Sequence, residues 1–354
     1  MKIVWYILIA INFLKIFVLV NGKLNSIFEA SNDPRLPEQC YGNDLSNSLK
    51  TGVNDVVIVR QSDGSLKSTR FQARVGKFSN WRTYFRSRKG KLAQLYVNNK
   101  RVLPRAGIIL SDSGPIFIHR EYSTTPSCSF TNEELQSMYL HEGSNKAVLI
   151  VKDLNLKLPL NIFLLNQNNK LVVTDIDGTI TKSNLRGIIL GSIGRDVHHP
   201  KVVEFFDKVS HNGYTVIYLT GRPLNLRKLT NKYLFRHLQN VEEGYARYSM
   251  PKGPVFLSPY SAMEGIKNRG NENVEKLATL RSLLDLFDLK QDVVVGAYGN
   301  AETDDKAYLA SGISDLNIFK LNEESEMTNL ATGDVTSYAS QARAVNKLYP
   351  KDVS

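Results

Sequence analysis

The sequence predicts an α/β domain built on a parallel sheet, preceded by a β-sandwich. Two observations predict it. Between residues 53 and 165, apolar side chains recur at every second position, the period of half-buried strands. After residue 169, short uninterrupted apolar runs at 171–173, 216–219 and 293–297 alternate with stretches of helical period. Strands that are apolar on both faces and separated by helices belong to a parallel sheet covered on each side.

The N-terminus comes first. Lys2 precedes a run at 3–20 that is apolar except for Asn12 and Lys15, and Val20 and Gly22 stand at the −3 and −1 positions of a cleavage site. Residues 1–22 are therefore expected to be a secretory signal peptide. A retained anchor is the alternative, because a run of this length nearly spans a bilayer. Lys15 weighs against the anchor, at a cost of about 2.5–3.5 kcal/mol at the bilayer centre. Residues 23–50 are polar, carry Pro, Asn and Ser, and read as a linker.

The β-sandwich is assigned to residues 51–168. Residues 56–59 form a short buried strand, and Ser62-Asp-Gly-Ser65 supplies a turn. Phe71, Ala73 and Val75 alternate with polar residues, and 92–97 give a further strand before the Asn98-Asn99 turn. Leu154, Leu156, Leu158, Leu160, Ile162 and Leu164 alternate strictly, which places them on one face with Asn155, Lys157 and Asn161 opposite. Pro159 then implies an edge strand or a bend.

The α/β domain is assigned to residues 169–350. Val202, Phe205, Phe206 and Val209 follow the helical spacing i, i+3, i+4, i+7; Val274, Leu277, Leu280 and Leu284 do so less cleanly, in a helix expected over 274–287 that Lys276 opens.

Bulk properties limit the function classes. The 354 residues suffice for two domains. With 42% hydrophobic and 22% charged residues the chain is neither disordered nor fibrous. Its net charge of +11 favours a polyanionic partner, nucleic acid or an anionic membrane surface, without choosing between them. The only cysteines, Cys40 and Cys128, exclude a disulfide scaffold and match no zinc pattern; one disulfide and two separate thiols both fit.

The chemistry sits at strand ends, where open α/β sheets bind ligands. The run 171–173 leads to Asp175 and Asp177, 216–219 to Thr220-Gly-Arg222, and 293–297 to Gly299-Asn300. An aspartate attacking phosphorus forms an acyl-phosphate and divides one hard displacement into two easier ones. Nucleophile and phosphate are both anionic, so a cation must lie between them, and Mg²⁺ suits carboxylate and phosphate oxygens. Asp177, two residues on, can serve as general acid and then activate water. Gly178 allows the backbone amides around Thr179 to approach the phosphoryl oxygens. Thr220 and Gly221 can reach them from the second strand. Lys276 offers a fixed positive charge, Asn300 a metal ligand, and Asp304 an anchor for the lysine.

Asp175-Ile-Asp-Gly-Thr-Ile-Thr-Lys-Ser183 resembles the DxDxT signature of the haloacid dehalogenase-like superfamily, in the form found in lipins. The resemblance continues through Asn212-Gly-Tyr214, Tyr218-Leu-Thr-Gly-Arg222, Pro251-Lys-Gly-Pro254, Leu257-Ser-Pro259, Gly299-Asn300 with Asp304, and Ile318-Phe319, and so covers about 145–350. A second block, from Asp55-Val-Val-Ile-Val-Arg-Gln-Ser-Asp-Gly64 to Phe71, Arg74, Gly76 and Lys77, is similar to the N-terminal lipin block. The resemblance implies a haloacid dehalogenase-like Rossmannoid sheet after an immunoglobulin-like sandwich. It implies Mg²⁺-dependent hydrolysis of phosphatidic acid to diacylglycerol and phosphate at a membrane surface. Asp175 would be the nucleophile, Asp177 the general acid/base, Thr220 and Lys276 the other catalytic groups. Asp175, Asp177 (through its carbonyl) and Asn300 would hold the metal; Gly178, Thr179, Thr220, Gly221 and Lys276 would hold phosphate. Asn184 departs from the aspartate of many relatives, and the usual long linker between the two blocks is missing.

On this reading the basic excess serves an anionic membrane, and no nucleic-acid module accompanies it. Trp81, Arg82, Tyr84, Phe85, Arg86, Arg88, Lys89 and Lys91 form the expected docking cluster, with a solvated charged hairpin as the alternative. The signal peptide places the protein in the secretory pathway or endoplasmic reticulum, membrane-associated; an uncleaved anchor would instead hold it on the cytosolic face. Two other functions fit the residues: a non-catalytic phosphatidate-binding module, like related domains of phosphatidylinositol-transfer proteins that lack the nucleophile, and a phosphatase for a soluble phosphomonoester or phosphoprotein.

Overall fold

Every residue of the run 171–174 is buried, and successive side chains enter two different apolar clusters, as a strand covered on both faces requires. The structure is a computed structural model that describes residues 51–76, 91–103, 106–110, 115–120, 127–182, 198–243, 246–258, 272–288 and 290–351. The signal or anchor segment, the linker and Cys40 lie outside the described residues. Cys128 is buried and disulfide-bonded. No described helix is long and apolar enough to cross a membrane.

The first part of the chain forms β1 (Gly52–Val53), β2 (Val56–Arg60), β3 (Leu66–Ser68), β4 (Ala73–Arg74), β5 (Lys91–Val97), β6 (Lys100–Arg101), β7 (Ala106–Leu110) and β8 (Pro115–Arg120), then helix α1 (Asn132–Gln136), β9 (Gly143–Val151) and β10 (Leu156–Asn166). They pair in the order β1-β4-β8-β7-β5-β9-β10-β2-β3, with β6 against β5. All pairs are antiparallel except β10 with β2. One hydrogen-bonded path thus runs through the whole sheet, and it curls round a core to which β1, β2, β4, β5, β7, β8, β9 and β10 all contribute. The expected turns are present: Gly64 has φ +82°, and Asn98 and Asn99 have φ of +48° and +67°, the pattern of a two-residue hairpin.

All six alternating apolar residues of 154–164 face this core, but their setting differs from expectation in two ways. Leu154 ends a 3₁₀ turn and Asn155 adopts a left-handed conformation, so the strand begins only at Leu156. β10 is also an interior strand, paired with β9 and β2, not an edge. Pro159 is tolerated because the β2 ladder starts at Ile162; at Pro159 itself only β9 is paired.

The second part runs β11 (Leu171–Thr174), α2 (Val202–His211), β12 (Thr215–Pro223), α3 (Arg227–Lys232), the hairpin β13 (Val241–Glu243) and β14 (Ala246–Tyr248), β15 (Val255–Ser258), α4 (Glu272–Leu284), α5 (Lys290–Val293), β16 (Val294–Gly299), α6 (Glu302–Ala310), β17 (Ile318–Leu321), β18 (Met327–Asn329), β19 (Val335–Thr336), α7 (Tyr338–Arg343) and α8 (Val345–Leu348). The sheet order β15-β12-β11-β16-β17 is parallel, with β18 and β19 added antiparallel. In order of appearance this is 3-2-1-4-5, so the chain reverses direction across the sheet between β11 and β16. The helix expected over 274–287 begins at Glu272 and ends at Leu284, and Lys276 lies in its second turn.

The two sheets are tied together. Val57 and Val59 of β2 and Phe163 and Leu165 of β10 share an apolar cluster with β11, β12, β16 and α4. Asn54 hydrogen-bonds both the amide and the carbonyl of Leu257, at 2.8 and 2.9 Å. Asp55, fully buried, accepts from the Val255 amide at 2.9 Å and from the guanidinium of Arg227. The first residues of the N-terminal sheet therefore cap β15, the outer strand of the parallel sheet, whose backbone groups would otherwise be an unpaired edge.

Candidate active site

The residues that follow β11 leave the sheet in a tight turn. Gly178 has φ +87°, and the amides of Ile180 and Thr181 both donate to the Ile176 carbonyl at 3.0 Å. The Thr181 hydroxyl accepts from the Gly178 amide at 3.1 Å, and Nε2 of buried His199 lies 3.3 Å from the Gly178 carbonyl. The Tyr338 hydroxyl donates to the Thr179 carbonyl at 3.1 Å. This network fixes the backbone at the end of β11, where Asp175 and Asp177 are both buried.

Lys276 crosses from α4 and donates to Asp175 Oδ1 at 2.8 Å and to Asp304 Oδ1 at 2.5 Å. Asp304 in turn accepts, on Oδ2, the amides of Asn300 and Ala301 at 3.2 and 3.1 Å. The lysine, the nucleophile candidate and the start of α6 are thus one connected unit. Gly299 makes room for it, since a Cβ there would lie 2.5 Å from Asp304 Cβ. Burial works against the Lys276 ammonium, but Asp175 and Asp304 outweigh it and raise its pKa. Burial pushes the Asp175 carboxyl up to about 7; Lys276 opposes the shift, and Asp304 and Asp177 add to it.

Arg222, two residues beyond the end of the buried run of β12, holds Asp177 with two parallel bonds, Nη2 to Oδ1 at 2.6 Å and Nε to Oδ2 at 2.8 Å. The guanidinium rests over the Tyr233 ring at 5.9 Å and lies 3.4 Å from the Thr230 hydroxyl. Thr220, also buried, accepts the Arg222 amide at 3.2 Å and keeps its own proton to donate. Gly221 is exposed beside it. Asn300 Oδ1 is 3.5 Å from the Thr179 hydroxyl. Gly178 and Asn300 open on a cavity of about 480 Å³, lined further by Lys182, Lys320, Asn322, Glu323 and Glu324.

Three carboxylates, Asp175, Asp177 and Asp304, thus meet two cations, Lys276 and Arg222, in a buried space. The surplus of negative charge and the raised Asp175 pKa suit a further cation. No cluster of three or more His, Cys, Asp or Glu side chains able to hold a metal occurs among the described residues. The oxygen groups that could hold a metal here are one carboxylate, the Asn300 carboxamide and backbone carbonyls, and so sparse a set would suit Mg²⁺ retaining several waters rather than a metal fully caged by protein.

The family described as LNS2 (Lipin/Ned1/Smp2) matches residues 126–350, well over half of the chain. The chain belongs to the lipin family. The lipin N-terminal conserved region matches residues 38–137. The lipin chain is 30% identical over 253 residues to human phosphatidate phosphatase LPIN1, covering 70% of this chain and 28% of that protein. It is 29% identical over 231 residues both to human phosphatidate phosphatase LPIN2 (63% and 25% covered) and to phosphatidic acid phosphohydrolase 1 of Saccharomyces cerevisiae (62% and 26%). It therefore spans about a quarter of the length of these curated relatives. The α/β part of this lipin is haloacid dehalogenase-like.

Asp175, Asp177, Gly178, Thr179, Thr220, Gly221, Lys276, Asn300 and Asp304 all gather at the carboxyl ends of β11, β12 and β16 and on α4 and α6. Of the basic cluster at 81–91, Trp81, Arg82, Tyr84, Phe85, Arg86, Arg88 and Lys89 lie outside the described residues. Lys91 begins β5 and pairs with Asp153 at 3.4 Å. Sequence reasoning did not find the hold of Arg222 on Asp177, the support of Gly178 by His199, or the tie from Tyr338 to Thr179. Each partner pair is separated by 21 to 159 residues, so local spacing carries no signal for any of them.

Proposed function

We propose that this lipin is a Mg²⁺-dependent phosphatidate phosphatase that converts phosphatidic acid to diacylglycerol and phosphate at a membrane surface. The observation that carries the reading is the buried contact of Lys276 with both Asp175 and Asp304 beside Asn300. A candidate nucleophilic carboxylate and a fixed cation meet there, and Asp304 links them to the Asn300 amide at the edge of the cavity that Gly178 and Asn300 line. The names of the relatives supply the substrate.

In this scheme Asp175 attacks phosphorus through its carboxylate, and the bond from phosphorus to the lipid oxygen breaks. Asp177 gives its proton to the leaving diacylglycerol oxygen, then takes one from the water that attacks the aspartyl-phosphate, so that inorganic phosphate leaves and Asp175 is restored. Lys276 and the Thr220 hydroxyl stabilise the phosphoryl oxygens; the Gly178 and Thr179 amides, which donate to the Thr181 hydroxyl and the Ile176 carbonyl in the observed turn, would join them only after letting go of those acceptors. Asp175, the Asp177 carbonyl and Asn300 would hold Mg²⁺, which when bound offsets the charge of nucleophile and phosphate together. Asp177 must loosen from Arg222 to deliver a proton, because both of its oxygens are occupied in the observed grip.

On the same reading, residues 51–168 are an immunoglobulin-like sandwich that supports the catalytic unit at 169–350. A signal peptide or uncleaved anchor at 1–22 brings the protein to the secretory pathway or endoplasmic reticulum membrane; a disulfide-bonded Cys128 suits an oxidising compartment. The test is phosphate release from phosphatidate in mixed micelles, with and without EDTA, beside a soluble phosphomonoester. Release that needs Mg²⁺, prefers the lipid and disappears in Asp175→Asn is expected. Equal turnover of the soluble ester would move the substrate assignment away from lipid.

A further inference from the structure

Just after Arg222 the chain enters α3 and runs straight into a π-helical turn at Tyr233–His237. The inner side of this segment is buried: Arg227, Thr230, Tyr233, Leu234 and Leu238. Its outer side carries Lys228, Leu229, Lys232 and Arg236, all exposed, on successive turns of one flank. No Asp or Glu occurs between residues 208 and 241, so no acidic side chain of this segment offsets the three cations. None of the three makes an ion pair among the described residues. Leu229 stands between Lys228 and Lys232, 36% exposed. The buried flank of the same segment seats the guanidinium that grips Asp177, through Thr230 and the Tyr233 ring. π-helical turns are rare and concentrate at functional sites.

We propose that the outer flank of α3 and its π-helical turn, formed by Lys228, Leu229, Lys232 and Arg236, is a docking surface for an anionic lipid bilayer. Three unpaired cations on one flank match a layer of lipid phosphates, and the leucine among them reaches the acyl boundary, where a nucleic-acid backbone would give it nothing to contact. None of its residues belongs to the basic run at 81–91. Docking there would bring the bilayer against the helix that positions Arg222, one side chain from Asp177. The proposal shares its membrane setting with the phosphatidate reading, but it is tested with a lipid that is not a phosphomonoester.

The experiment uses the full chain and measures co-sedimentation with vesicles of phosphatidylcholine alone and of phosphatidylcholine with phosphatidylglycerol. Any apolar N-terminal segment binds both kinds alike, so the difference between them reports the basic flank. Each surface cation contributes about 1 kcal/mol, or about fivefold. The triple variant Lys228→Gln, Lys232→Gln, Arg236→Gln should therefore lose about a hundredfold of the binding that phosphatidylglycerol adds. A control triple, Lys100→Gln, Lys152→Gln, Lys157→Gln, removes the same charge from exposed sites on the other sheet and should keep that binding. Leu229→Ser should weaken it by a few-fold. Thermal melting checks folding, and the three single variants, each about fivefold weaker, replace the triple if it unfolds. Unchanged binding by the triple, or an equal loss in the control, overturns the proposal. So does loss of single-stranded DNA binding with vesicle binding intact, which would assign the flank to nucleic acid. Failure to hydrolyse phosphatidate with this binding pattern intact would remove the catalytic reading and leave the docking surface standing.

Discussion

Arg222 and Asp177 form a two-pronged ion pair, at 2.6 and 2.8 Å, although 45 residues separate them. The guanidinium fixes the orientation of a carboxylate that the proposed chemistry needs as both acid and base. Lysine cannot reproduce that fork. Arg222→Lys is expected to lower kcat by about tenfold to a hundredfold with KM within about a factor of three, because orientation matters most in proton transfer. Steady-state kinetics on phosphatidate micelles decide it; a variant changed only in KM would make Arg222 a substrate-binding group instead.

Asp55 and Arg227 join the N-terminal sheet to the parallel sheet through a buried pair, and Asp55 also accepts amides from Asn161 and Val255. Removing one partner strands the other charge in the interior. Asp55→Ala should cost about 3–5 kcal/mol, read as a drop in the urea midpoint with an unchanged slope. Asp55→Ala with Arg227→Met should recover part of the loss. If the single variant melts like the parent, water reaches the pair and the joint is weaker than its burial indicates.

These two contacts show where reading the sequence stops. β11, β12 and β16 were legible because their apolar runs are unbroken, as central strands demand. β15 was missed although Val255, Phe256 and Leu257 make a buried run as unbroken as that of 171–173, and β17 has only Ile318 and Leu321 buried, with Phe319 and Lys320 between them. The site residues at strand ends followed from those runs and from the family motif. Arg222 was visible only as a residue after Thr220, because nothing in its own neighbourhood says which carboxylate it will meet. Pro159 suggested an edge, and the offset start of the β2 ladder, a tertiary fact, let it sit inside the sheet.

The Asp175 pKa yields a stability prediction. Burial raises it from 3.8 to about 7, with Asp304 and Asp177 adding to the shift. Between those values the folded protein holds a proton that the unfolded chain has released, so stability falls as pH rises through this window. In EDTA, the parent should therefore lose Tm relative to Asp175→Asn between about pH 4 and about pH 7, with little further change above it. Mg²⁺ should restore part of the loss at the upper pH in the parent and none in the variant. A constant difference in Tm would mean that Asp175 is ionised across the range.

Gly299 gives the sharpest steric test. It ends β16 with no left-handed requirement, so the backbone would accept alanine, but the added Cβ would meet Asp304 Cβ at 2.5 Å and Asp304 Oδ2 at 3.0 Å. Neither atom can yield cheaply. Asp304 is buried at the start of α6, its Oδ2 holds the amides of Asn300 and Ala301, and its Oδ1 holds Lys276. A shift of Asp304 therefore moves the lysine that touches Asp175 and the amide beside Asn300 together. Overpacking of this kind costs about 1–3 kcal/mol, and phosphate release should fall far more than stability, since the displaced groups are those proposed to hold nucleophile and phosphate. Melting and turnover of Gly299→Ala, measured side by side, separate the two effects. An alanine variant as active as the parent would show that Asp304 can give way without carrying Lys276 with it, and the lysine would then owe its position to α4 alone.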